Sequence, residues 1–171
     1  MHSNAWWPVL ALVVIATVTD IVRRRIPNWL VLPFLVAGVA LNWASHGVTG
    51  LGQSMGGIGL AVAVTGIFCW LRGMGMGDLK LCAAVGAWIG PAQLIVALVA
   101  TGISGGALAL AWAMYHGSLI EVLDGSSDLV SGFWTKGFHP HPILALDHHS
   151  ARTIPYAPAI AIGAIFSFFA A

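Results

Sequence analysis

The stretch that decides the fold is Gly73–Gly90, GMGMGDLKLCAAVGAWIG, which runs on without a polar pause through PAQLIVALVATGISGGALALAWAMY to Tyr115. From Leu79 onward its one charge is Lys80, at the very start. As a single helix rising 1.5 Å per residue, this segment would extend roughly 55 Å, far more than the ~30 Å of a bilayer's hydrocarbon core. Gly90-Pro91 is the natural break, because proline cannot continue the hydrogen-bond ladder and its predecessor avoids helical angles. The sequence therefore predicts a helical hairpin. Its first arm, 79–89, reaches only ~16 Å. Either the turn is sunk in the protein, or the arm begins inside the membrane boundary and holds Asp78 deeper than an ordinary interfacial charge.

The rest of the chain agrees. Of its 171 residues 58% are hydrophobic and 8% charged, with a mean hydropathy of +0.89, whereas soluble domains carry about 25% charged residues. The expected fold class is an all-α polytopic integral membrane protein. Six transmembrane helices are expected at residues 5–22, 28–43, 54–71, 79–89, 92–115 and 155–171, with one polar loop at 117–152 and a single domain over 1–171. The opening MHSNAWWPVLALVV has no positively charged leader, so its apolar run is expected to remain as a helix. Arg23–Arg25, Arg72, Lys80, Lys136 and Arg152 occupy alternate connections, and SHGVTGLGQS and the Gly90-Pro91 turn hold no Lys or Arg. The positive-inside rule then places both termini on the outer side.

Glu121, Asp124, Asp128 and Asp147 belong to the polar loop, where solvation or reception of a basic peptide explains them. That loop begins with apolar residues at helical spacing, as a short interfacial helix would. The remaining acids are Asp20, at the inner end of the first helix, and Asp78, at the inner end of the fourth. The topology puts both at one membrane face and at similar depth. Ionisable groups there are costly and usually functional. Two carboxylates within a few ångströms share a proton, so one activates water while the other donates to a carbonyl oxygen. No thiol or serine with a suitable partner set competes, and two isolated cysteines, Cys69 and Cys82, supply neither a zinc site nor a disulfide framework. The glycines ahead of Asp78 would take unusual backbone angles and let an extended substrate approach, by strand-like pairing. A merely flexible loop is the plain alternative.

Gly75-Met76-Gly77-Asp78 is a G-x-G-D tetrapeptide followed by Leu79-Lys80-Leu81. Together with Asp20, the downstream Ile26-Pro27-Asn28, and Pro155 and Pro158 in RTIPYAPAIAIGA, this ordered set resembles the type IV prepilin peptidases, a family of intramembrane aspartic endopeptidases. The resemblance covers essentially the whole chain. It implies that Asp20 and Asp78 form a catalytic dyad, with Gly75, Gly77, Lys80, Asn28, Pro155 and Pro158 shaping the site. It further implies cleavage of the basic leader from prepilin or pseudopilin precursors at the cytoplasmic face of the bacterial inner membrane. Longer members carry paired C-x-x-C motifs and N-methylate the trimmed pilin. No such pair occurs here, so methyl transfer is not expected, and the chain resembles the short peptidases of tight-adherence (Flp-type) pilus systems.

Neither FHPHP nor DHHS matches a familiar ligand spacing, so no metal or other cofactor is expected. No basic run with interleaved aromatics points to nucleic acid; the expected partners are a single-pass precursor and the lipid bilayer. Arg23–Arg25 are explained by topology, or by steering an acidic part of a substrate. Trp6, Trp7, Trp43 and Trp88 read as an aromatic belt. Gly102, Gly105 and Gly106 read as close helix packing or a docking site for a substrate helix. Two rival functions remain at this point. A proton-coupled transporter would place charges mid-span and show matching halves, and neither is visible. A non-catalytic subunit of a secretion complex would need neither aspartate.

Overall fold

The computed structural model describes residues 6–70, 74–115 and 156–170, all of them helical or in short connections. Four helical elements result: α1 (Trp6–Arg23), α2 (Asn28–Trp70), α3 (Met76–Tyr115) and α4 (Ala157–Phe169). α2 and α3 are each interrupted by one residue with non-helical angles, Gly47 (φ 58°, ψ −139°) and Gly90 (φ 75°, ψ 175°). Within the described residues, Asn28–Trp70 and Met76–Ala111 are long and apolar enough to cross a membrane.

Both interruptions reverse the chain. Asn42 and Ser54 are twelve positions apart, ~18 Å along a straight helix, yet Asn42 Nδ2 donates to Ser54 Oγ at 3.0 Å. The two arms of α2 flank the 76–89 arm of α3 in opposite directions. Along the first arm, Asn28 meets Lys80 and Phe34 meets Trp88; along the second, Gly57 meets Gly86 and Gly66 meets Leu79. The sequence pattern ends one helix at residue 43 and begins the next at 54. That boundary is corrected: helix runs through the polar SHGVTGLGQS on both sides, and the reversal is confined to Gly47. Only glycine takes such angles without strain, so nothing longer than one residue is needed.

The 76–89 arm is the central rod. Every residue from Leu81 to Gly90 is buried, as expected of a helix apolar on all sides. Of the two options for its short length, the structure shows the first, with the Gly90 turn sunk in the protein. A buried break leaves backbone groups in need of partners. Ala87 is the residue whose carbonyl would accept from position 91, and Pro91 has no N–H to give. Asn42 Nδ2 and Ser54 Oγ donate to that carbonyl instead, at 2.9 and 2.7 Å, and Asn42 Nδ2 also reaches the Trp88 carbonyl at 3.3 Å.

The second arm of α2 buries Gly50, Ser54, Gly57, Ala61 and Thr65, a stripe of small residues that lets its backbone lie against the central rod. Trp88, expected in an outer aromatic belt, is instead a core residue, 6% exposed. Its indole N–H donates to the Phe34 carbonyl at 2.8 Å. Trp7 and Trp43 are exposed. Of the three packing glycines, Gly105 lies against Tyr156, while a Cβ at Gly102 or Gly106 meets nothing within 4 Å among the described residues.

α4 runs antiparallel to the 91–115 arm, with Gly163 against Thr101 and Ser104 Oγ donating to the Ala159 carbonyl at 3.3 Å. α1 leans mainly on α4. Its buried positions are Val9, Leu12, Val13, Ala16 and Asp20, one face at helical spacing. The polar loop at 117–152, with its acids, histidines and expected interfacial helix, lies outside the described residues.

Candidate active site

The far end of the bundle, away from the Gly47 and Gly90 turns, gathers the chemistry. Asp20 is the last residue of the buried α1 stripe and only 9% exposed. Its backbone carbonyl accepts the Arg24 N–H at 2.8 Å, and Arg24 then turns the chain with a left-handed φ of 50°. Its side chain faces the N-terminus of α4, where Ala157 N–H donates to Oδ2 at 3.2 Å. The first amides of a helix lack internal partners, and here each is accounted for. Pro158 has no N–H, and the Ala159 and Ile160 amides both bond the Tyr156 carbonyl, at 3.0 and 3.2 Å. Ala157 holds the remaining donor, and Asp20 takes it.

Asp78 stands at the start of α3 in a comparable position. Gly75 precedes the helix, and its carbonyl accepts the Asp78 and Leu79 amides at 3.1 and 3.4 Å. The Asp78 carboxylate reaches back to the Gly75 N–H, the reciprocal bond of a capping box. Both carboxylates thus face helix N-termini, Asp20 from the end of α1 and Asp78 from within α3, where backbone dipoles favour negative charge. The two carboxylates lie close enough for their charges to interact. A mere cap would not bring a second buried carboxylate within reach.

The neighbouring residues lock these two helix starts together. A Cβ on Gly77 would lie 3.3 Å from Ile26 Cβ, so the glycine lets the Ile26-Pro27-Asn28 turn press on the helix. Lys80 Nζ donates to Asn28 Oδ1 at 3.0 Å across the same junction. Pro27 supplies the carbonyl that receives the Leu30 and Val31 amides at the start of α2. Of the residues singled out in the sequence, Asp20, Asp78, Gly75, Gly77, Lys80, Asn28 and Pro158 meet at this end, and Pro155 lies outside the described residues. The expectation that the glycines would take unusual angles is corrected for Gly75 and Gly77; Gly73 lies outside the described residues. Among described residues, positive φ occurs only at Arg24, Gly47 and Gly90, and Gly77 is helical. Gly77 provides space rather than freedom.

Three further residues belong here. Cys69 Sγ contacts the Gly75 carbonyl at 3.6 Å, Tyr156 gives its carbonyl to the Ala159 and Ile160 amides, and Ala157 contributes its amide. For the last two, the prolines at 155 and 158 that bracket them are the available signal in the sequence. Among the described residues, no group of three or more His, Cys, Asp or Glu could hold a metal.

Two acids from different helices are thus brought to one end of the bundle, each held by an amide at a helix start. The type IV leader peptidase family model matches residues 7–110, which contain both aspartates. The chain belongs to that family. It is 29% identical over 163 residues to a prepilin leader peptidase/N-methyltransferase of Aeromonas hydrophila, an alignment covering 91% of this chain and 44% of the relative. It is 30% identical over 165 residues to a prepilin leader peptidase/N-methyltransferase of Bacillus subtilis (strain 168), covering 93% of this chain and 52% of the relative. The chain therefore spans about half the length of these curated relatives. No solved structure matches it.

Proposed function

We propose that this chain is an intramembrane aspartic endopeptidase that removes the basic leader from type IV (Flp-type) prepilins or pseudopilins. The observation that carries the reading is the meeting of Asp20 and Asp78 at one end of the bundle. In the proposed reaction the two carboxylates share one proton. The ionised one takes a proton from water as it attacks the scissile carbonyl, and the protonated one donates to the developing oxyanion. The proton taken from water then passes to the leaving amine. Ala157 and Gly75 hold the carboxylates in place through their amides. Lys80 and Asn28 are positioning residues that tie the start of α3 to the start of α2, Pro158 sets the start of α4, and Pro155 belongs to the same proposed set from its place in the sequence. No metal or cofactor enters this scheme.

The same reading includes six crossings of the bacterial inner membrane, with both termini outside and the aspartates at the cytoplasmic face. Arg23–Arg25 and Lys80 lie at the aspartate end and the uncharged Gly47 and Gly90 turns at the other, the asymmetry that the positive-inside rule expects. The test is co-expression with a candidate precursor and mass measurement of its mature N-terminus. Asp20→Asn and Asp78→Asn should each insert normally and leave the precursor uncut; efficient processing by both would end the proposal.

A further inference from the structure

Beside the aspartate cluster, and sharing Ile26 and Asn28 with the junction described above, the structure holds a cavity of about 460 Å³ between the end of α1 and the start of α2. Thr19 and Arg23 line one side, Arg25 and Ile26 the turn, and Asn28 and Trp29 the other side. Thr19 and Arg23 are one helical turn apart, along the edge of the α1 face that carries Asp20. Two guanidinium groups contribute to it, and neither of the described acids, Asp20 and Asp78, lines it. Arginine presents a planar fork of donors that matches phosphate oxygens two at a time.

We propose that this cavity binds the phosphodiester headgroup of an anionic phospholipid, with Arg23 and Arg25 as its charge partners. The surface beside it has the shape of the rest of such a molecule. Exposed apolar residues run from the cavity toward the middle of the bundle in two stripes, Ile15, Val18 and Val22 on α1, and Trp29, Leu32 and Val36 on α2. A ligand with an anionic head and two hydrocarbon tails satisfies the arginines and both stripes together. A free phosphate or a peptide carboxylate uses only the first. Basic pockets between helices on the cytoplasmic side are where such headgroups bind, and an indole at the rim suits the interface. Arg24, which does not line the cavity, holds the left-handed φ of 50°. That conformation is unfavourable for any residue with a Cβ, and it separates the two lining arginines by a sharp turn instead of continuing the helix. The proposal relies on the membrane orientation above but not on peptidase activity.

The experiment is native mass spectrometry of the purified chain in mild detergent, titrated with phosphatidylglycerol and, in parallel, with phosphatidylcholine. Wild type should retain phosphatidylglycerol several-fold better. Arg23→Gln and Arg25→Gln should each weaken retention about fivefold, with Arg24→Gln, the same loss of charge beside the cavity, close to wild type. Arg23→Lys/Arg25→Lys should retain an intermediate amount and guards against loss of folding, which thermal unfolding of every variant checks. Equal retention of the two lipids, or a loss in Arg24→Gln as large as in its neighbours, would overturn the site. So would full displacement by inorganic phosphate alone. Unchanged lipid retention in the glutamine variants, combined with a raised KM for a precursor bearing acidic residues, would assign the cavity to peptide and equally sink the proposal.

Discussion

The Ala157 amide donates to Oδ2 of Asp20 at 3.2 Å, so the last helix of the described chain orients a carboxylate carried by the first. The contact separates two roles of the acid, which substitutions can read independently. Asp20→Asn keeps an oxygen for the amide and should unfold close to wild type while losing cleavage. Asp20→Ala leaves a buried donor unpaired and should cost about 1–3 kcal/mol in addition. Thermal unfolding in detergent beside a cleavage assay checks the contrast; equal stability of the two variants would deny the bond any weight.

The space at Gly77 makes a second prediction. Alanine there places its Cβ 3.3 Å from Ile26 Cβ, so Gly77→Ala should push the Ile26-Pro27-Asn28 turn away and reduce cleavage more than stability. Ile26→Gly removes the Cβ in contact and should restore part of the activity. The pair should couple by roughly 0.5–3 kcal/mol in a double-mutant cycle. Strict additivity would show that the glycine is needed for some other reason.

Close packing along the α2 stripe should be equally sensitive. A Cβ on Gly57 would run into the Gly86 carbonyl, whereas one on Gly59 meets nothing within 4 Å. Gly57→Ala should cost about 2 kcal/mol or more, as overpacking does. Gly59→Ala should be neutral or slightly stabilising, since alanine is the better helix former. Unfolding midpoints of the two variants decide it.

The two reversals should differ in the same way. Alanine at Gly47 meets no neighbour and suffers only the strain of φ 58°, about 1–2 kcal/mol. At Gly90 the Cβ contact of 2.9 Å with Gln53 Oε1 is relieved by that exposed side chain moving aside, but the strain at φ 75° falls in a buried turn that cannot relax as exposed Gly47 can, so Gly90→Ala should be the more destabilising variant. The reverse order in thermal unfolding would contradict the packing described for the buried turn.

The same residues mark how far the fold and the site are legible in the amino-acid sequence. Gly90 announces itself because proline follows it, and proline's missing N–H is a fact of sequence. Gly47 carries no such mark, and the polar ten-residue stretch around it resembles a loop, because composition cannot reveal that helical hydrogen bonding continues through it. Asp20 and Asp78 stand out because charge at an apolar boundary is costly. The amides that hold them do not, since every residue but proline carries one. Trp88 is misplaced by its identity, which suits an interface, while the Phe34 carbonyl that satisfies its indole becomes a neighbour only after two helices pack.

The bonds from Asn42 and Ser54 to the Ala87 carbonyl bear on how such a chain can be built. Synthesis proceeds from the N-terminus, so the α2 hairpin leaves the ribosome before the rod that carries Asp78. Its donors and its groove of small residues stand ready when the broken backbone at Gly90 arrives. The costliest piece to bring into lipid thus enters a slot already lined with partners, and translation order itself becomes part of what makes the buried turn tolerable.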